Sequence, residues 1–156
     1  MRGAWEDETP GLLTLPSGRR VRGRAWRDVP PGPPPEFGVY LLGRSPDPPP
    51  WEYQWVRWRD FSLPADPANF RAALTKAWAR SATERVEFAC RGGIGRTGTA
   101  LACLAVLDGV PDAEAVAFVR AGYRAQAVET RAQAAFIKDP VLLRLRKLGP
   151  SLGTEP

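Results

Sequence analysis

The chain has 156 residues, 44% hydrophobic and 25% charged, with 22 basic against 17 acidic side chains, a net charge of +5 and no histidine. That length suits one core. The missing histidine excludes Ser-His-Asp triads, Cys-His pairs and His-ligated zinc, and two cysteines outside any C-x-x-C pair cannot build a four-thiolate metal site. Nineteen of the basic residues are Arg in a chain rich in Ala, Gly and Pro, a bias that GC-rich coding produces as readily as anion binding, so the charge selects no partner by itself. The opening MRGAWEDETP has no apolar leader core, and the longest apolar run, Ala100 to Leu107, is far too short to span a membrane. A cytoplasmic protein with reduced thiols, no metal, no cofactor, no transmembrane segment and no nucleic-acid partner is expected.

In chain order, Leu12 to Leu15 and Val21 to Trp26 read as short strands around the turn Pro16-Ser17-Gly18, and Phe37 to Leu42 as an apolar strand. Trp51, Tyr53 and Trp55 alternate with Glu52 and Gln54, the period-two pattern of a half-buried strand. Two proline clusters, Pro30 to Pro35 and Pro46 to Pro50, bracket the third strand and read as stiff surface loops. Asp66 as N-cap and Pro67 at the first helical position open a helix with Phe70, Ala73, Leu74, Ala77 and Trp78 on one face. A strand from Arg85 to Cys90 follows, then a glycine-rich turn and a helix from about Thr97 to Leu107. The remainder reads as helices: Asp112 to Ala121, Thr130 (N-cap) to Lys138, and Asp139 to Leu148. One domain spanning 1–156 is expected, with a strand- and proline-rich part (1–50) and a catalytic core (51–148). The fold class is α/β, a central mixed sheet flanked by helices on both faces. Cys103 falls mid-helix among Leu101, Leu104 and Ala105, as a core residue would.

The segment Cys90-Arg91-Gly92-Gly93-Ile94-Gly95-Arg96-Thr97-Gly98 admits three motif readings. Gly93, Gly95 and Gly98 spell G-x-G-x-x-G, but the second strand and acidic residue of a dinucleotide-binding unit do not follow. A triphosphate-binding loop fails because Cys90 and Arg96 stand where its first Gly and its Lys belong. The third reading is C-x5-R. Backbone N–H groups of Arg91, Gly92, Gly93, Ile94 and Gly95, with the helix dipole, would cradle a tetrahedral dianion. Arg96 would bind two of its oxygens, and Cys90 would attack from below as a thiolate favoured by those same positive charges.

The spacing alone is common by chance. Extended to G-G-I-G-R-T-G between strand and helix, it resembles the active-site loop of cysteine-dependent protein tyrosine phosphatases, of the compact tyrosine or dual-specificity type. Trp58-Arg59-Asp60-Phe61-Ser62-Leu63-Pro64 is similar to that family's general-acid loop, and Val128-Glu129-Thr130-Arg131-Ala132-Gln133 to its glutamine-bearing segment. The resemblance implies a phosphatase fold and hydrolysis through a cysteinyl-phosphate without metal or cofactor. It makes Asp60 the general acid, Thr97 a hydroxyl donor to the Cys90 sulfur and Gln133 the residue that positions water. Phosphotyrosine in a protein or peptide is the leading substrate. Phosphoinositide comes second, because Arg91 adds a cation where similar lipid phosphatases carry one. Two departures stand out: Ala89 replaces the family's His before the cysteine, and Arg59 replaces the proline of the acid loop. They leave a non-catalytic phosphate-binding module as the alternative from another class.

Overall fold

A computed structural model describes residues 5–139. Five strands, β1 (Leu12–Thr14), β2 (Arg20–Ala25), β3 (Phe37–Leu42), β4 (Glu52–Arg57) and β5 (Val86–Cys90), form one mixed sheet in the order β1-β2-β5-β3-β4. β1 is antiparallel to β2 and every other pairing is parallel. β5 is therefore central, with Ala25 beside Cys90 and Tyr40 beside Ala89. Its carboxyl end, where Cys90 sits, opens into the region where parallel sheets bind ligands.

The helices are α1 (Pro67–Arg80), α2 (Gly95–Leu107), α3 (Ala115–Gly122) and α4 (Arg131–Ile137). The predicted caps form: Asp66 accepts from the backbone N–H groups of Ala68 and Asn69, and Thr130 from that of Gln133. Asp112–Glu114, read as the start of a helix, is a separate 3-10 turn leading into α3. The helix expected from Asp139 to Leu148 lies outside the described residues beyond Asp139 itself. α2 is buried along its whole length, as an apolar-all-round helix must be; it packs against the sheet and against α1, α3 and α4.

The expected placement of helices on both faces needs correction. Side chains of all four described helices share one core with Leu13, Val21, Val39, Val86 and Phe88 on a single face of the sheet. The other face is covered by the proline clusters, which form the crossovers from β2 to β3 (residues 26–36) and from β3 to β4 (residues 43–51). The physical reason is reach. A six-residue strand is about 20 Å long; nine residues span about 13 Å as a helix and about 28 Å as polyproline. Proline's missing N–H suits such a segment, since no ladder partner is required.

That second face holds a buried polar cluster. Alternation along β2 and β5 turns Arg22, Arg24 and Glu87 away from the helices. The Glu87 carboxylate accepts from Arg22 Nε (3.0 Å) and Nη2 (2.6 Å), Arg24 Nε (2.9 Å) and Nη2 (3.0 Å), and the Tyr40 hydroxyl (2.6 Å). Burial and the Glu87 charge push the Tyr40 phenol well up, so it remains a donor. Trp51 Nε1 donates to the Tyr40 oxygen at 2.6 Å, and Arg22 Nη1 donates to the carbonyls of Pro31 and Pro33. Removing one member of such a cluster leaves uncompensated buried charge. Glu87→Ala is expected to destabilise the chain by about 3–5 kcal/mol, read as a lowered urea midpoint; a change below about 1 kcal/mol would mean that water or other groups take over the carboxylate's role.

Candidate active site

β5 delivers Cys90 to the sheet's edge with its side chain on the helix face, while Ala89 points to the opposite face beside Tyr40 and Leu42. Trp26 N–H donates to Cys90 O (2.7 Å) and Arg27 N–H to Arg91 O (3.4 Å), fastening the start of the loop to the end of β2. The chain turns at Gly93 with φ +71°, where a Cβ would lie 2.7 Å from Ala25 N and Arg24 C. Only glycine passes there without strain. Gly93 N–H donates to Cys90 Sγ at 3.2 Å. α2 begins at Gly95, two residues before the predicted start, so Arg96 and Thr97 lie in its first turn. Cys90, Gly92, Ile94, Gly95 and Arg96 form the floor and wall of a cavity of about 80 Å³, which Asp60, Phe61 and Glu129 complete. Gly93 is buried behind that wall, and Arg91 is exposed outside the lining.

The second motif meets the first at this cavity. Trp58 is buried against Phe70 and Phe136. Its indole N–H donates to Ser62 O (2.6 Å), and it bridges to Pro64, pinching residues 58–64 into a loop. The turn at Arg59 is closed by hydrogen bonds: Arg59 O accepts from Ser62 N–H (3.2 Å) and Ser62 Oγ (2.5 Å). Arg96 Nη1 donates to Trp58 O at 3.0 Å, tying the two loops together. Arg96 Nε lies 3.7 Å from Asp60 Oδ1 and is buried without a hydrogen bond, as is Thr97 Oγ1. The donation from Thr97 to the Cys90 sulfur that the resemblance implies is thus not made in this structure. A buried unpartnered donor costs about 1–3 kcal/mol, a cost that an anion in the cavity would relieve at Arg96. Asp60 is about half exposed at the mouth, and Phe61, at φ +59°, is 62% exposed beside it.

The third motif closes the remaining side. Ala127 packs so tightly on α2 that a Cβ at Gly98 would sit 2.6 Å from it. Val128 adopts φ +67°, held by Arg120, whose Nε donates to Ala127 O and Nη2 to Val128 O, both at 2.8 Å. A β-branched residue in that region stores about 1–3 kcal/mol of strain, and the turn it makes lays the Glu129 carboxylate against Gly95. Gln133 is fully buried. Its Oε1 accepts from the Glu129 and Thr130 N–H groups (2.9 and 3.2 Å), and its Nε2 donates to Ser62 O (3.3 Å). Glu129, not Gln133, is the side chain of this segment that reaches the cavity. Of the residues that the sequence motifs single out, Cys90, Arg96 and Asp60 line the cavity with Gly92, Ile94 and Gly95, whereas Thr97, Gln133, Gly93 and Arg91 do not. The motifs give no role to Arg120, whose signal is only its spacing of seven and eight residues from the carbonyls it holds.

Among the described residues no group of three or more Cys, Asp or Glu side chains is arranged to hold a metal ion, and no helix is long and apolar enough to cross a membrane. Burial pushes the Cys103 thiol well up, consistent with a core side chain.

Comparison with known proteins bears on the fold and the family. No curated protein sequence matches the chain. Among solved structures, Tk-PTP in its active form is similar at 25% identity and a TM-score of 0.59, covering 70% of this chain and 78% of that one. Trypanosoma brucei protein tyrosine phosphatase TbPTP1 is similar at 19% identity and a TM-score of 0.64, covering 86% and 72%. PTPMT1, solved in complex with PI(5)P, shares the fold at 13% identity and a TM-score of 0.51, covering 76% and 81%. Residues 46–142 match the family model for protein-tyrosine phosphatases, a stretch that holds all three motifs, and the chain belongs to that family.

Proposed function

We propose that the chain hydrolyses phosphotyrosine in proteins or peptides through a phosphocysteine at Cys90. The observation that carries this reading is the convergence of Cys90 and Arg96 from one loop, Asp60 from a second and Glu129 from a third on one small cavity at the carboxyl end of β5. The Cys90 sulfur attacks phosphorus; the S–P bond forms as the P–O bond to the phenol breaks, and Asp60 gives its proton to the departing oxygen. Water then attacks phosphorus and loses a proton to the Asp60 carboxylate. The S–P bond breaks, and inorganic phosphate and the thiolate are released. Preorganised donors on the phosphoryl oxygens, Arg96 and the loop N–H groups, supply most of the rate. We assign alignment of the attacking water to Glu129 and give Gln133 the task of holding the acid loop through Ser62. The exposed Phe61 ring beside the cavity favours an aromatic leaving group over an aliphatic one. A phosphoinositide head group is the second reading, favoured by Arg91, an exposed cation next to the nucleophile, and by the ligand of the distant structural relative PTPMT1.

Cys90→Ser should abolish turnover while preserving vanadate binding, because a serine hydroxyl is not ionised near neutrality; a tenth of wild-type activity remaining would remove Cys90 as nucleophile. Asp60→Asn should slow esters of poor leaving groups by ~10² or more and those of acidic phenols far less. Equal losses on both would make Asp60 structural. Arg91→Ala should leave phosphotyrosine peptides and phosphoinositides alike within about twofold, since its side chain lies outside the cavity; a selective loss on phosphoinositide by the ~1–3 kcal/mol of a charge-assisted hydrogen bond would reverse the substrate ranking.

A further inference from the structure

We infer that Tyr123 is a positioning residue for the phosphate loop: its hydroxyl holds the Gly93 carbonyl so that the following peptide turns its N–H into the cavity. The inference rests on reading the loop as a phosphate site and concerns a residue outside every motif in the sequence.

The Tyr123 hydroxyl donates to Gly93 O at 2.6 Å. Tyr123 does not line the cavity, whereas Ile94 and Cys90 do, so the Gly93 carbonyl faces away from the site. In a planar trans peptide C=O and N–H point in opposite directions. Fixing Gly93 O outward therefore aims the Ile94 N–H inward, on the side where Gly93 N–H already meets the Cys90 sulfur. One hydrogen bond behind the loop thus sets a donor in front of it.

Tyr123 is itself held in place. α3 ends at Gly122, Tyr123 N–H donates to Val119 O (2.8 Å), and a Cβ at Gly122 would lie 2.7 Å from Leu13, so the helix end sits close against β1. The ring lies over Gly23 of β2, where a Cβ would come within 2.6–2.8 Å of its Cζ, Cε1 and hydroxyl. Glycine at 23 is what admits the ring to this position. Burial pushes the phenol up to about 12, with the Arg124 guanidinium opposing and negative charge at Cys90 adding to the shift. Tyr123 is therefore a protonated donor at any ordinary assay pH. The resemblance implies a histidine before the cysteine to orient the loop. Ala89 cannot, and its side chain faces the other side of the sheet; Tyr123 supplies the constraint from the helix face.

The test uses the full chain, tungstate as a phosphate mimic and para-nitrophenyl phosphate as substrate. Tyr123→Phe keeps the ring and removes the hydroxyl. It is expected to weaken tungstate about tenfold by calorimetry and to lower kcat about tenfold, while the thermal midpoint stays within a few degrees. A KM that moves less than kcat marks loss of transition-state contacts rather than of fold. Gly23→Ala, which keeps the hydroxyl and displaces the ring, is expected to give the same loss. Tungstate affinity and kcat within twofold of wild type in either variant would overturn the inference. Because calorimetry needs no turnover, a wild-type chain that binds tungstate without hydrolysing ester would sink the proposed function while the tungstate arm still decides the role of Tyr123.

Discussion

The carboxylate of Glu87 is the point to which the rest of the structure is tied. It lies three residues before the nucleophile on the central strand and receives donors from both neighbouring strands, Arg22 and Arg24 on β2 and Tyr40 on β3. β2 and β3 are the strands between which β5 runs to Cys90, with Ala25 of β2 paired to it. Burying two guanidiniums and a carboxylate carries a large desolvation cost, so the cluster is poor evidence for extra stability; its value lies in specificity. A one-residue slip of β5 against β2 would turn Glu87 into the helix-side core and Cys90 out of it. The donors left over reach further: Arg22 takes the carbonyls of Pro31 and Pro33, and Arg24 those of Ala25 and Asp28. The same charge that sets the register of the sheet therefore fastens the cover over its far face.

How much of this was legible in the sequence depends on how far each feature reaches along the chain. The C-x5-R loop, the acid loop and the caps at Asp66 and Thr130 are local patterns, visible because turns and caps are specified by residues a few positions apart. α2 begins two residues before its expected start because Gly95 and Arg96 look like turn residues until tertiary packing winds them into the helix. The Arg22–Glu87 bond joins residues 65 positions apart and the Tyr123–Gly93 bond residues 30 apart, and nothing local announces either. Glycine at 23 reads as a weak point in a strand until the ring above it is seen. The distinction between Glu129 and Gln133 was equally hidden, since a capping glutamine and a water-aligning one occupy the same helical position.

The arginine content has a structural explanation as well. Several guanidiniums serve backbone carbonyls: Arg19 that of Trp78, Arg85 that of Pro34, Arg96 that of Trp58, and Arg120 those of Ala127 and Val128, the first three with an acid (Asp108, Glu36 and Asp60) 3.7–3.9 Å away. Irregular segments rich in proline present carbonyls with few N–H groups to match them, and a five-donor fork reaches them where a lysine's point charge would do so less well. The net charge of +5 is thus in part a by-product of holding loops together, and its weakness as a clue to ligands follows.

The choice of residues also leaves the buried frame without a histidine switch. The chain has no histidine, and the Cys103 thiol and the Tyr40 and Tyr123 phenols are all pushed upward by burial, so these three buried groups carry no charge near neutrality. In hydrolysis of a phosphate monoester the substrate's own phosphate, whose second ionisation falls near ~6, is a source of curvature near neutrality that none of these three groups supplies.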